Sequence, residues 1–451
     1  MLKDNMQEIV NHLKTSGFVY QGSEIYGGLA NTWDYGPLGA ILKENIKDAW
    51  KDLFITKHVN NFLIDTKILM NPQVWVTSGH VSNFSDPLIE NKVNGKRYRA
   101  DKLIQEINPD LIPEKMTFEQ MRDFLIDNLP KYENEKTNWS DIRKFNLMFE
   151  TYQGVLVDAK SKVYLRPETA QGIFVNFKNI QRTMRAKLPF GVGQVGKSFR
   201  NEVTPGNFIF RTREFEQMEL EFFTHPDQAD YWFKYYINLA YQFVLSLGIK
   251  EDSIRIRAHE AEELAHYSNG TSDIEFKFPF GWGELLGVAN RTDFDLKSHM
   301  EASGESLDYL DPTTNEKIIP YVIEPSIGLD RLMLAVLSDV YRVEELENDS
   351  RVVLKLPMHL APYKVAVLPL VKKLGEQADV VLQKLVNLGI SATYDEAGSI
   401  GKRYRRQDAI GTYYCLTVDY QTLEDQTVTL RNRDTMEQFR VSIEDLAQYF
   451  K

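Results

Sequence analysis

Apolar and polar residues alternate with a period of two through residues 214–223, EFEQMELEFF, and a strand sends successive side chains to opposite faces. Met218, Leu220 and Phe222 therefore share one face. Arg211, Arg213, Phe215, Gln217, Glu219 and Glu221 share the other. The preceding apolar run, GVGQVGKSFRNE, predicts a partner strand on which Ser198, Arg200 and Glu202 point together, with a turn at Pro205-Gly206. A solvated ladder of ion pairs is the plain reading of so charged a row. Phe215 argues against it, because a large ring flanked by charges is a poor solvent face. The floor of a cleft accounts for the row better.

Elsewhere the pattern predicts helices over residues 1–60, where Leu38, Leu42, Ile46 and Trp50 recur at helical spacing, followed by a strand ending at Pro72. Residues of about 90–145 are more polar and read as an insertion, with a helix from Thr117 whose capping partner is Gln120. Strands are expected at 146–156, 162–168 and 191–202. A helix follows at 229–248, closed by Gly248, then strands at 254–260, 273–290 and 319–326. Leu329, Leu332, Met333, Val336, Leu337 and Val340 form the apolar stripe of a helix. After Pro362 short strands and helices alternate. The expected fold is α+β: a mainly antiparallel body over 1–356, with its insertion, and an α/β domain over 362–451.

Composition narrows the class. The chain has 451 residues, 43% hydrophobic and 26% charged, enough apolar mass for two or three domains. No apolar run is long enough to span a bilayer, and the N-terminal stretch lacks the apolar core of a signal peptide. Cys415 is the single cysteine, which excludes an internal disulfide and a Cys-rich zinc cluster. A cytoplasmic protein is expected. The net charge is −11, yet residues 362–451 carry 12 basic and 12 acidic side chains, so the rest of the chain holds the whole excess. A polyanionic partner would have to meet local basic patches.

The hairpin face suggests what the cleft holds. Arginine forks match phosphate oxygens, a flat ring stacks on a base, and a carboxylate accepts from an amine. One arginine about 4 Å from a phosphate is worth roughly 4 kcal/mol at an effective dielectric of ~20, before desolvation. A nucleoside triphosphate, Mg2+ and an amine-bearing substrate fit that inventory.

The same residues carry a family resemblance. FRNE…REFEQMELEFF resembles motif 2 of the class II aminoacyl-tRNA synthetases, and IEPSIGLDRLMLAVL resembles motif 3. The segment leading to Pro72 is similar to motif 1. GLANTWDYGPLG, YRADKLI, LRPETAQGIFVNF and FPFGWGEL narrow the resemblance to the single-chain, homodimeric glycyl-tRNA synthetases of bacteria, over nearly the whole chain. It implies ATP, glycine and tRNA(Gly) as substrates, a homodimer formed through the motif 1 segment, no membrane partner and no zinc. It also admits a side synthesis of diadenosine tetraphosphate.

By that resemblance Arg200 stabilises charge on the α-phosphate, Glu202 accepts from the adenine amino group, and Phe215 stacks on the base. Arg331 meets the γ-phosphate, and Glu284 ligates Mg2+. Asn201, Phe210, Arg211, Thr212, Arg213, Glu214, Leu285, Gly328, Leu329 and Asp330 complete the ATP set, Gly328 allowing close approach. Glycine has no side chain to read, so its ammonium, its carboxylate and the exclusion of anything larger must serve. Glu168, Glu219 and Glu324 are the candidates for the ammonium. Arg99 is placed for a carboxylate or phosphate. Ser326, Phe215, Glu216, Gln217, Met218, Pro325, Ile327 and Gly328 complete that pocket. In the C-terminal domain Lys402, Arg403, Arg405 and Arg406, around Tyr404, form the expected tRNA patch.

Overall fold

The computed structural model describes residues 2–129, 131–132, 135–155, 161–261, 263–265, 267–347 and 349–450. The strand expected over 146–156 and the expected insertion therefore fall partly outside the described residues. Seven strands build the central sheet: β1 (Asn61–Leu63), β2 (Phe190–Phe199), β3 (Glu214–Thr224), β4 (Ile254–Ala258), β5 (Gly270–Phe278), β6 (Gly281–Thr292) and β7 (Tyr321–Gly328). Their order is β4-β5-β6-β7-β3-β2-β1, antiparallel throughout except for β1, which runs parallel to β2 at the edge.

One face of this sheet is the core. Met218, Leu220 and Phe222 of β3 and Ile323 and Ile327 of β7 pack there against three helices, α1 (Pro37–Lys51), α2 (Ala229–Ser246) and α3 (Leu329–Val340). Trp50, Tyr236, Phe243 and Leu332 are the buried helix contributions. Gly193 of β2 is needed for that approach: a Cβ there would lie 2.8 Å from Ile55 and 2.9 Å from Trp50. The opposite face is graded along the strands. Phe190, Val192, Phe223 and Val322 form an apolar end, a polar middle follows, and arginines stand at the far end.

Several element boundaries differ from the sequence reading. The N-terminal 60 residues contain a short antiparallel pair, Val19–Gln21 with Trp33–Tyr35, between their two helices. The expected strand to Pro72 is only Asn61–Leu63, and Pro72 opens a short helix at its first turn, where proline's missing N–H costs nothing. The β2–β3 hairpin is shorter than expected. β2 ends at Phe199 and β3 begins at Glu214, so residues 200–213 form a long loop with a 3-10 turn at Phe208–Phe210.

Residues 85–146 contain a separate three-stranded sheet, Ser85–Asn91 between Lys96–Arg99 and Arg143–Asn146. Ile89, Leu103, Ile104, Met121 and Leu125 give it its own core. Thr117 and Gln120 form the reciprocal cap the sequence predicts, with Thr117 Oγ1 accepting from Gln120 N at 3.2 Å.

The C-terminal unit is a five-stranded sheet ordered β9-β8-β10-β11-β12, where β8 is Val365–Pro369, β9 Ala392–Tyr394, β10 Tyr414–Val418, β11 Thr427–Asn432 and β12 Gln438–Ser442. β8 runs parallel to both β9 and β10, flanked by α4 (Gly375–Asn387) and α5 (Ile400–Ile410). The C-terminal end of α5 is seated in the larger body. Arg351 donates to Asp408 at 2.9 Å, Arg431 donates to the same carboxylate at 2.8 Å, and His12 Nε2 meets the Ala409 carbonyl at 2.7 Å.

Candidate active site

Two adjoining compartments lie on the polar face of the central sheet. The first is a cavity of about 130 Å³ lined by Arg200, Glu202, Phe210, Arg211, Phe215, Gln217, Glu284, Leu285, Ser326, Gly328 and Arg331, among others. The loop after β2 sets Arg200 over the rings of both Phe215 and Phe84, 5.3 Å from each centroid, with Nε donating to the Pro167 carbonyl at 3.1 Å. Arg331, in the first turn of α3, donates to the Phe210 carbonyl at 3.0 Å and lies over its ring. It also reaches Glu284 at 3.3 Å. Burial lowers the pKa of Arg211, opposed by the field of Glu202. Glu202 and Gln217 each bury one side-chain oxygen with no hydrogen-bond partner. Unused acceptors on the wall of a cation-rich cavity call for a donor from a ligand.

The second compartment lies deeper along the same strands. Glu168, Glu219, Glu221, Asp295 and Glu324 surround Arg291, which is 1% exposed. Arg291 holds Asp295 with Nε at 2.8 Å and Nη2 at 3.0 Å, and donates to Glu324 through Nη1. Glu219 accepts from the Thr169 amide at 2.9 Å, the Thr169 hydroxyl, Gln217 at 2.9 Å and Ser326 at 2.6 Å. Burial and the neighbouring Glu168 raise the Glu219 pKa, against the hydroxyl donors. Burial also pushes the Glu324 carboxyl up to about 8, although Arg291 opposes it. Burial acts in the same direction on Glu168, but His80, Arg291 and Gln171 overcome it and hold that carboxyl well below the usual range. Even with the buried Arg166 in the field of Glu219 and His80 3.5 Å from Glu168, five buried carboxylates outnumber the cations around them.

The compartments meet at Gln217 and Ser326. Both line the first cavity, and both donate to Glu219 in the second.

Several expected site residues stand elsewhere. Because side chains alternate, Glu214, Glu216 and Met218 project to the helix-covered face. Met218 is core, while Glu216 pairs with Lys43 at 2.6 Å and Lys47 at 2.8 Å, and Glu214 pairs with Lys197. Pro325 and Ile327 alternate to that face too, and Leu329 is core. Asp330 lies on the wall of the first cavity and also anchors the structure, accepting from Tyr35, from Lys43 at 3.0 Å and from the Glu216 amide at 2.7 Å. Glu214, Glu216 and Asp330 border an adjoining cavity of about 560 Å³ among Trp33, Tyr35, Lys43 and Lys197, which shares Ile209, Thr212, Phe215 and Asp330 with the first. Arg99 is held by Asp101 at 2.6 Å and Asp86 at 3.2 Å. Asn201 is fixed through its amide to the Leu147 carbonyl, and Thr212 donates to the Glu214 carbonyl. Arg213 reaches the Glu202 carbonyl at 3.2 Å. At Gly328 an added Cβ would meet only Arg331, at 3.8 Å, so the protein itself does not require glycine there. Arg291, Asp295, Thr169, Gln171, His80 and Phe84 were not singled out in the sequence. Only the i, i+4 spacing of Arg291 and Asp295 hinted at a pair.

In the C-terminal unit α5 does not present its four cations together. Arg403 is 3% exposed and donates to the carbonyls of Pro369 and Gly398. Tyr404 turns inward to Thr417. Arg406 is paired with Asp395 at 2.6 Å, and Arg405 lies 3.4 Å from Asp349. Lys402 is exposed.

Comparison with known proteins agrees with this geometry. Residues 151–340 match the tRNA synthetase class II core domain (G, H, P, S and T), and residues 364–451 match an anticodon binding domain. A prolyl-tRNA synthetase from Giardia lamblia, solved with prolyl-adenylate, shares the fold at a TM-score of 0.66 and 15% identity, over 99% of this chain and 74% of that one. Fold and domain content define a class II aminoacyl-tRNA synthetase. Glycine--tRNA ligase of Mycoplasmopsis synoviae is 61% identical over the full length of both chains, and that of Ruminiclostridium cellulolyticum is 59% identical over 99% of this chain and 98% of its own. The chain belongs to the glycine--tRNA ligases. It activates glycine with ATP, releasing pyrophosphate, and transfers the glycyl group to tRNA. Among the described residues no helix is long and apolar enough to cross a membrane.

Proposed function

We propose that the arginine-lined cavity holds ATP and that the acidic compartment holds the glycine ammonium, which directs its carboxylate through the Gln217–Ser326 opening to the α-phosphorus. The observation that carries this assignment is the segregation of charge along one sheet face, cations at one end and a cation deficit at the other. An attacking carboxylate oxygen forms a bond to phosphorus as the bond to pyrophosphate breaks. Arg200 neutralises the developing charge, and Arg331 takes the outer phosphates. Glu202 and Gln217 offer their free acceptors to the base and ribose. Among the described residues no group of three or more His, Cys, Asp or Glu side chains forms a metal site. That suits Mg2+, which is held by one or two carboxylates with phosphate oxygens supplying further ligands. Glu284, half-exposed beside Arg331, is the protein ligand on this reading. Glycine-dependent ATP–pyrophosphate exchange tests the assignment. Activity with glycine alone among the amino acids, lost in Glu219→Gln, supports it, and undiminished exchange in that variant refutes it.

RNA contact falls at the carboxyl ends of β8, β9 and β10, where the strand order reverses and open α/β sheets hold their ligands. Lys372, Lys373, Lys402 and Tyr420 are exposed around that crevice. Reversing the charge of the three lysines is expected to raise the KM for tRNA at least tenfold and leave exchange unchanged. Arg403→Ala is expected to lower the melting temperature instead.

A homodimer accounts for the apolar edge beside β1. Val59 is 95% exposed, Leu63 51% and Leu69 47%. Leu63→Asp is expected to give a monomer by light scattering, and an unchanged mass would contradict this face.

A further inference from the structure

Of the five carboxylates around Arg291, four have donors. Glu219 has four hydrogen bonds, Asp295 accepts from Arg291 and Gln171, Glu324 accepts from Arg291, and Glu168 accepts from Gln171 with His80 at 3.5 Å. Glu221 has none. It is 0% exposed, and neither of its oxygens has a partner among the described residues. Glu219 opposite Ser326 and Phe222 opposite Ile323 set Glu221 directly across the β3–β7 pair from Glu324.

Like charges opposed across a sheet without intervening donors do not both ionise, and such a pair titrates as a unit. The groups facing Glu221 are Glu219 on its own strand, Glu324 on β7, Arg291 on β6 and Asp295 on the helix Phe294–Ser303. On the β2 side it is paired with uncharged Val192, with Gln194 on the same face. Glu168, His80, His299, Tyr267 and Arg166, the last in the field of Glu219, stand around these groups. Burial and Glu324 push the Glu221 carboxyl well above its ordinary range.

We propose that Glu221 is a positioning residue that carries a proton while the pocket is empty and releases it to solvent when the ammonium of glycine docks. One cation enters as one proton leaves, so the compartment keeps its net charge. Nothing else is consumed, and no covalent bond other than O–H is broken. The inference rests on placing the glycine ammonium in this compartment.

Calorimetric titration of glycine into the full-length protein, in buffers of different ionisation enthalpy, reads the linkage directly. Release of about one proton per glycine is expected near neutral pH, with affinity falling about tenfold for each unit the pH is lowered. In Glu221→Gln, which keeps the shape and the neutral state, glycine still binds, release disappears and the pH dependence flattens. Binding heats that are equal in every wild-type buffer overturn the proposal, as does undiminished release from the Gln variant. Glu219→Gln run alongside separates the two ideas: if it binds glycine as the wild type does, the compartment itself is wrongly assigned.

Discussion

Replacing Arg200 by alanine is expected to lower glycine-dependent ATP–pyrophosphate exchange by about 10²–10³-fold, the effect of removing one preorganised donor from a developing oxyanion. The fold should survive. Among the described residues the guanidinium donates one hydrogen bond, to the Pro167 carbonyl, and it lies over the faces of Phe84 and Phe215. That stacking fixes a planar fork in the cavity before any nucleotide arrives. Arg200→Lys should therefore recover little, because an ammonium neither stacks as a plane nor forms two parallel bonds to a phosphate. Exchange rates beside melting temperatures check the case. Retained exchange with an unchanged melting temperature would remove Arg200 from the reaction, and loss of both would make it structural.

Replacing Arg291 by methionine is expected to damage stability as well as activity. It strips Asp295 of two donors and Glu324 of one, where all three side chains are buried. Breaking a buried ion pair from one side costs about 3–5 kcal/mol. The penalty should depend on pH with a definite sign. Glu324 is already raised to about 8 in the folded protein. A carboxyl whose folded pKa lies above its unfolded value stabilises the native state only while protonated, so that stability is lost as pH rises from the ordinary carboxylate range toward 8. Without Arg291 the folded pKa climbs further, and the loss continues to higher pH. Urea denaturation at pH 5.5 and 8.5 should show the variant closer to wild type at the acidic value. An equal deficit at both would mean that the arginine matters for packing alone.

The face of β3 was legible because a strand's period is two and its core residues are adjacent in sequence. The same rule should have excluded Glu214, Glu216 and Met218, which alternate to the other side, and Pro325 and Ile327 follow the same logic on β7. The charge complement of the pocket was not legible. Arg291 lies 72 positions from Glu219 and reaches Glu324 across β6 and β7, and no local pattern encodes a sheet order. On α5 the sequence could not tell Arg403 from its exposed neighbours for a related reason. Charge density along a chain says nothing of which helix face is buried, and Arg403 is spent on the carbonyls of Pro369 and Gly398. Asp330 and Arg331 both line the cavity yet divide roles: the first anchors α3 to β3, and the second leaves its guanidinium for the ligand.

The seat of α5 also limits how this enzyme can be taken apart. Asp408 is shared between Arg351, upstream of the junction, and Arg431, downstream of it. Cutting the chain between the two units would leave a fragment whose buried anion has lost one of its three guanidinium partners, Arg431 at 2.8 Å and Arg405 at 3.7 Å remaining, and would strand Arg351 on the other piece. A tail transplanted from a cousin would inherit the same mismatch unless Arg351 came along with it. Swapping ends to retarget the enzyme to another RNA thus calls for a splice upstream of residue 351, within the antiparallel pair of Tyr341–Glu345 and Ser350–Leu354 rather than in the linker.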